Sequence, residues 1–145
     1  MTERFSFRDF LFQYGIRSLA LGVPLHEYCH LVVLRILGGE GLIVSWALNQ
    51  MQYEQYTRSQ LILTAYSGGI LSGIVWLLLS FHDRDIENRL VSRVIAVSQI
   101  VYGIFEGTAF ALNTFLLIRL GDLISGILIF GLVVGFVIRS GFRSE

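Results

Sequence analysis

Residues 10–37 read FLFQYGIRSLALGVPLHEYCHLVVLRIL, an apolar stretch of spanning length that carries the pentapeptide His26-Glu27-Tyr28-Cys29-His30. The length predicts a helix able to cross a membrane, and the pentapeptide has the form HExxH. Two histidines four residues apart share one face of a helix, so both imidazoles can reach one metal ion. A glutamate beside the first can then polarise a water bound to that ion. The combination points to zinc-dependent hydrolysis inside a lipid bilayer. Cys29 is turned about 100° around the helix from His30 and is read as core filling, not as a ligand.

The rest of the chain agrees with a membrane setting. Of its 145 residues 54% are hydrophobic and 15% charged, and the mean hydropathy is +0.65, too apolar for an ordinary soluble domain of this size. Leu61–Phe81 is uncharged, Val94–Ile118 is interrupted only by Glu106, and Leu123–Ile138 is again uncharged. The expected fold is an all-α membrane protein, a single domain over residues 1–145. Its four transmembrane helices are Phe10–Leu37, Gln60–Phe81, Val94–Ile118 and Leu123–Ile138, with a short β-hairpin between the first and second. The hairpin is read from the alternation of Leu42, Val44 and Trp46 and of Met51, Tyr53 and Gln55 about a turn at Asn49-Gln50. Pro24 predicts a kink that frees a backbone carbonyl just ahead of the motif, and Gly38-Gly39 predicts the helix end. Ser67-Gly68-Gly69, Ser72 and Gly73 form a small-residue face suited to close helix packing. His82, between Phe81 and Asp83, is read as solvated, within a loop or surface helix running from His82 to Arg93.

Charge narrows the function classes. All 11 basic residues are arginine, which excludes lysine Schiff-base chemistry, and a net charge of zero argues against a nucleic-acid partner. One cysteine excludes an internal disulfide. The expected partners are the lipid bilayer and a transmembrane or membrane-bound protein substrate. Arg4, Arg8, Arg84, Arg89, Arg93, Arg139 and Arg143 gather on one side of the expected topology, against Arg35, Arg58 and Arg119 on the other. This bias predicts a multi-pass protein with both termini cytoplasmic and the hairpin outside.

A catalytic zinc takes three protein ligands and keeps one position for water, so His26 and His30 need an acidic or histidine partner. Glu106 stands in the middle of the third expected span, where an unpaired carboxylate costs roughly a few kcal/mol and by default marks function. Counted along the helices, it lies about 18 Å from the hairpin face, against about 12 Å for the motif. Asp122 is the competing ligand; its simplest structural role is to cap the fourth helix. Glu27 is the expected general base, and Asn113 is a candidate donor to a developing oxyanion.

Two resemblances bear on this choice. Glu106-Gly107-Thr108-Ala109 resembles the glutamate, small residue, x, alanine pattern that supplies the third ligand in HExxH peptidases of the gluzincin type. More of the chain resembles the site-2 protease family of intramembrane zinc metalloproteases. Arg17–Gly39, with HEYCH, is similar to that family's first core helix, and the expected hairpin to the strand segment after it. Ala65-Tyr66-Ser67-Gly68-Gly69 falls where the family often has an alanine-glycine-proline helix start. Asn113 through Leu120-Gly121-Asp122 is similar to the Asn-x-x-Pro…Leu-Asp-Gly segment, whose aspartate binds zinc. This second resemblance implies an intramembrane protease with Asp122 as ligand. Here, however, no proline separates Asn113 from Asp122 and the order is Gly-Asp. The family's active site also lies toward the cytoplasm, opposite to the side the arginines favour here. Glu106 is therefore preferred, with Asp122 kept open. A non-proteolytic ion transporter or sensor built on the same ligands is the alternative function. A haem bundle is disfavoured, because histidines four apart on one helix meet a metal side by side rather than from opposite axial positions.

Overall fold

The computed structural model describes residues 7–45, 48–51, 56–114, 116–121, 123–124 and 127. Three helical stretches are long and apolar enough to cross a membrane: Arg8–Ile36, Arg58–His82 and Ile86–Leu112. The expected fourth span, Leu123–Ile138, lies outside the described residues except for 123, 124 and 127, and Asp122 lies outside them as well.

The first stretch is helical throughout but not uniform. Helix α1 (Phe7–Arg17) passes through a π-helical turn, Ser18–Gly22, into α2 (Val23–Ile36), where the Val23 N–H reaches back to the Ser18 carbonyl. Pro24 supplies the physical cause. It has no N–H to offer the carbonyl four residues earlier, and its ring would press on that carbonyl. A widened turn just upstream relieves both problems. At the other end Gly38 adopts φ +82°, and the Gly38 and Gly39 N–H groups close onto Arg35 and Leu34 carbonyls at 3.0 and 2.9 Å, a glycine-based helix stop.

Strands β1 (Gly41–Ser45) and β2 (Leu48–Met51) follow and pair antiparallel, Gly41 opposite Met51 and Ser45 opposite Leu48. This register corrects the expected turn. Asn49 and Gln50 lie within β2, opposite Ile43 and Leu42, and only residues 46 and 47 separate the paired ends. Asn-Gln lacks the glycine that makes Asn-Gly a strong two-residue turn, so it does not dictate where the chain reverses.

Helix α3 (Arg58–His82) starts at a capping box in which Thr57 Oγ1 accepts from the Gln60 N–H and Gln60 Oε1 accepts from the Thr57 N–H. The Gln60 side-chain amide also donates to the Leu37 carbonyl at 3.1 Å, fastening the start of α3 to the end of α2. Asp83–Asp85 form the connection to α4 (Ile86–Leu112), so most of the segment expected as a loop or surface helix belongs to α4. α4 also stops earlier than expected, at Leu112 and not Ile118. Asn113 takes the left-handed conformation (φ 53°, ψ 43°) that asparagine tolerates better than most residues, and the chain then resumes helically over residues 116–121.

α3 and α4 pack as an antiparallel pair at very short range. A Cβ added at Gly69 would lie 2.4 Å from the Gly103 nitrogen, and one added at Gly103 would lie 2.7 Å from the Gly69 Cα, so only glycine permits this approach. The opposite end of the bundle holds the apolar core: Phe10, Trp76, Val91, Val94, Ile95 and Ala96, with Tyr14, Leu25 and Leu90 against it. The three long helices thus leave a shared interior face near the strand end, where α2 looks onto both α3 and α4.

Candidate metal centre

Three side chains converge on that face. His26 and His30 project from α2 four residues apart, and Glu106 projects toward them from α4. The two imidazole Nε2 atoms are 3.0 Å apart, and Glu106 Oε2 lies 3.1 Å from His26 Nε2 and 3.4 Å from His30 Nε2. Among the described residues this group could hold a metal ion, each residue offering one ligand atom. The contacts put His30 and Glu106 at the same depth, and each is equally far from the end of its own helix. His30 lies six residues from Ile36 and Glu106 six from Leu112, about 9 Å in each case. The 18 Å expected for Glu106 is too large because it counted the helix on to Ile118.

The outer nitrogens decide what the inner ones can do. His30 Nδ1 donates to the Thr64 backbone carbonyl at 2.7 Å, and His26 Nδ1 donates to Gln99 Oε1 at 2.9 Å. These partners assign both neutral rings to the tautomer with the proton on Nδ1, leaving each Nε2 with a bare lone pair. Two such nitrogens and a carboxylate oxygen then face one another across a buried space. His26 is 5% and His30 3% exposed, and in that setting three mutually facing acceptors repel unless a cation lies among them. A single proton can bridge one pair of the three; a metal ion satisfies all three at once. Ligands at 2.0–2.1 Å in tetrahedral array stand about 3.3 Å apart, and the observed edges of 3.0, 3.1 and 3.4 Å fit that shape.

No protein-family model, curated protein or solved structure matches this chain. The reading of the centre therefore rests on its own geometry.

That geometry depends on Gly68. A Cβ there would sit 2.2 Å from His30 Nε2, so the imidazole occupies the space a side chain would need. The small-residue face is thus divided: Gly69 and Gly73 meet α4, whereas Gly68 makes room for the His30 ring. Tyr102, one turn before Glu106 on α4, places its ring 5.4 Å from that of His26. Glu27 is partly buried and lies about 60° around α2 from His30, on one flank of the ligand pair. Cys29 is buried on the other flank and is not in the ligand group. Glu106 has the most open side chain of the three, 16% exposed against 7% and 4% for the histidines, so the carboxylate marks the centre's approach.

Asn113 does not reach the site. It is the exposed left-handed cap of α4, about 10 Å farther along the axis than Glu106. His82 is exposed at the far end of α3, where its Nδ1 donates to the Leu78 carbonyl at 3.2 Å. Gln99 was not among the residues singled out from sequence, although it stands seven residues before Glu106 and so on the same stripe of one helix. A polar residue in line with a mid-span acid is the signal that marks it.

Proposed function

We propose that this protein is an intramembrane zinc metalloprotease, a minimal and divergent relative of the site-2 proteases it resembles. Its expected substrates are membrane-embedded proteins. The observation that carries this reading is the convergence of His26, His30 and Glu106 from two helices into a zinc-sized triangle, with Glu27 flanking it on the same helix as the histidines. His26 Nε2, His30 Nε2 and Glu106 Oε2 would hold the ion. When bound, zinc supplies a Lewis acid that polarises a carbonyl and lowers the pKa of a coordinated water toward neutrality.

The remaining chemistry belongs to the chain. Glu27 takes a proton from the attacking water onto its carboxylate and gives it to the amide nitrogen as the C–N bond breaks, so that water is added across the peptide bond. Burial of the histidines keeps bulk water from the ligand side. β1, with Leu42 and Ile43 exposed, offers an extended segment that an unwound substrate can pair with before its peptide bond reaches the centre. A fourth span over Leu123–Ile138, a hairpin between the first and second spans, and cytoplasmic termini complete this reading.

The test uses the full chain in liposomes with a fluorogenic single-span peptide. Glu27→Gln is expected to keep zinc while hydrolysis falls by about 10²- to 10⁴-fold, the usual contribution of a general base. Undiminished cleavage in that variant would sink the protease reading. Zinc binding with no cleavage by wild type of any membrane peptide would favour an ion-handling role instead.

A further inference from the structure

Gln99 is a primary amide among membrane-spanning helices, where polar groups must find partners within the protein. Its Oε1 lies 2.9 Å from His26 Nδ1 and 3.1 Å from Ser72 Oγ, and its Nε2 packs against Gly22 of the π-helical turn, 3.5 Å from where a Cβ would stand. One side chain of α4 thus touches a ligand on α2, a hydroxyl on α3 and the turn that introduces the HExxH segment.

The two histidines are held differently. His30 is fixed by a backbone carbonyl, which no substitution at Thr64 removes, whereas His26 is fixed by a side chain. We propose that Gln99 is the positioning residue of the metal centre: by accepting from Nδ1 it makes Nε2 the bare, metal-facing nitrogen of His26, and Ser72 holds the amide in place. This rests on the metal reading above. A glutamine in this role orients the imidazole without adding a second negative charge to a centre that already has Glu106. Metal-bound histidines commonly depend on such an outer partner, and its loss typically weakens metal binding by about 10- to 100-fold.

The experiment is a cobalt(II) titration of the detergent-purified, metal-free full chain, comparing wild type, Gln99→Leu and Gln99→Glu, with the visible d–d spectrum as the second readout. Wild type is expected to bind one equivalent. Gln99→Leu, which keeps bulk but has no acceptor, is expected to bind about 10- to 100-fold more weakly with an altered spectrum. Gln99→Glu restores the acceptor and is expected to bind at least as tightly as wild type. A role in helix packing alone predicts no such rescue and no spectral change. The inference is overturned if the leucine variant matches wild type in affinity and spectrum, or if a folded glutamate variant binds as weakly as the leucine one. Should the leucine variant fail to fold, the glutamate variant against wild type decides. Absence of cobalt binding by wild type would instead overturn the metal reading, and this inference with it.

Discussion

The two ends of the bundle handle polar side chains in opposite ways. At the end where α3 turns into α4, Arg17 donates to Asn88 Oδ1 at 2.7 Å and to Ser92 Oγ at 3.4 Å, and lies 4.0 Å from Asp83 Oδ2, which also accepts from Ser92 Oγ at 2.7 Å. Donors meet acceptors, and the long arginine side chain carries its charge to the connection between the helices. At the strand end, with both rings neutral and protonated on Nδ1, His26 Nε2, His30 Nε2 and Glu106 Oε2 are acceptors facing acceptors. The first cluster is satisfied by the protein alone, whereas the second has the donor set that a cation would complete. A polar residue in a membrane helix is therefore informative through what its neighbours lack as much as through its presence.

Substitutions can break this contrast from either side. The largest effect is expected for Glu106→Ala, which removes the one carboxylate of the His26, His30, Glu106 group. Zinc affinity measured by competition with a chromophoric chelator should fall by more than about 100-fold, on the scale of about 3–5 kcal/mol for breaking a buried charge pair. Asp122→Ala should leave it unchanged, and the reverse pattern would hand the third-ligand role to Asp122. Gly68→Ala comes next. Its methyl group would displace the His30 ring from the Thr64 carbonyl, and about 1–3 kcal/mol of overpacking corresponds to about 5- to 150-fold weaker zinc. Circular dichroism should still report a helical protein. The smallest effect is expected for Arg17→Leu at the other end. Asp83 keeps its bond from Ser92, and the loss should be about 1 kcal/mol in thermal or denaturant unfolding, with zinc affinity unaltered. A drop in zinc affinity there would show that the two ends are not independent.

Much of the centre was legible in the sequence because its chemistry is local. The i, i+4 spacing of His26 and His30 follows from helix geometry, and Glu106 is the only charge in a long apolar run, so all three members of the group that converges could be named from residue order alone. What stayed hidden depends on backbone choices that residue types permit but do not dictate. Asn113 can continue a helix or leave it through the left-handed region; it leaves, which shortens α4 and puts Glu106 six residues, not twelve, from the helix end. Gly68 reads as one more small residue until the His30 ring is seen in the space beside it. Pro24 announces a disturbance in the helix, but not that a widened turn at Ser18–Gly22 absorbs it and lies against Gln99. Strand register was also underdetermined, since the segment carries no Asn-Gly or Asp-Gly to place the reversal.

The most direct test of the acceptor triangle is zinc K-edge X-ray absorption on the purified, zinc-loaded full chain. It should show one zinc per chain with two imidazole nitrogens and oxygen ligands at about 2.0–2.1 Å, and that signal should vanish in the His26→Ala, His30→Ala double variant. A wild-type protein that retains no zinc would contradict the account, as would a sulfur shell at about 2.3 Å that brings Cys29 to the metal.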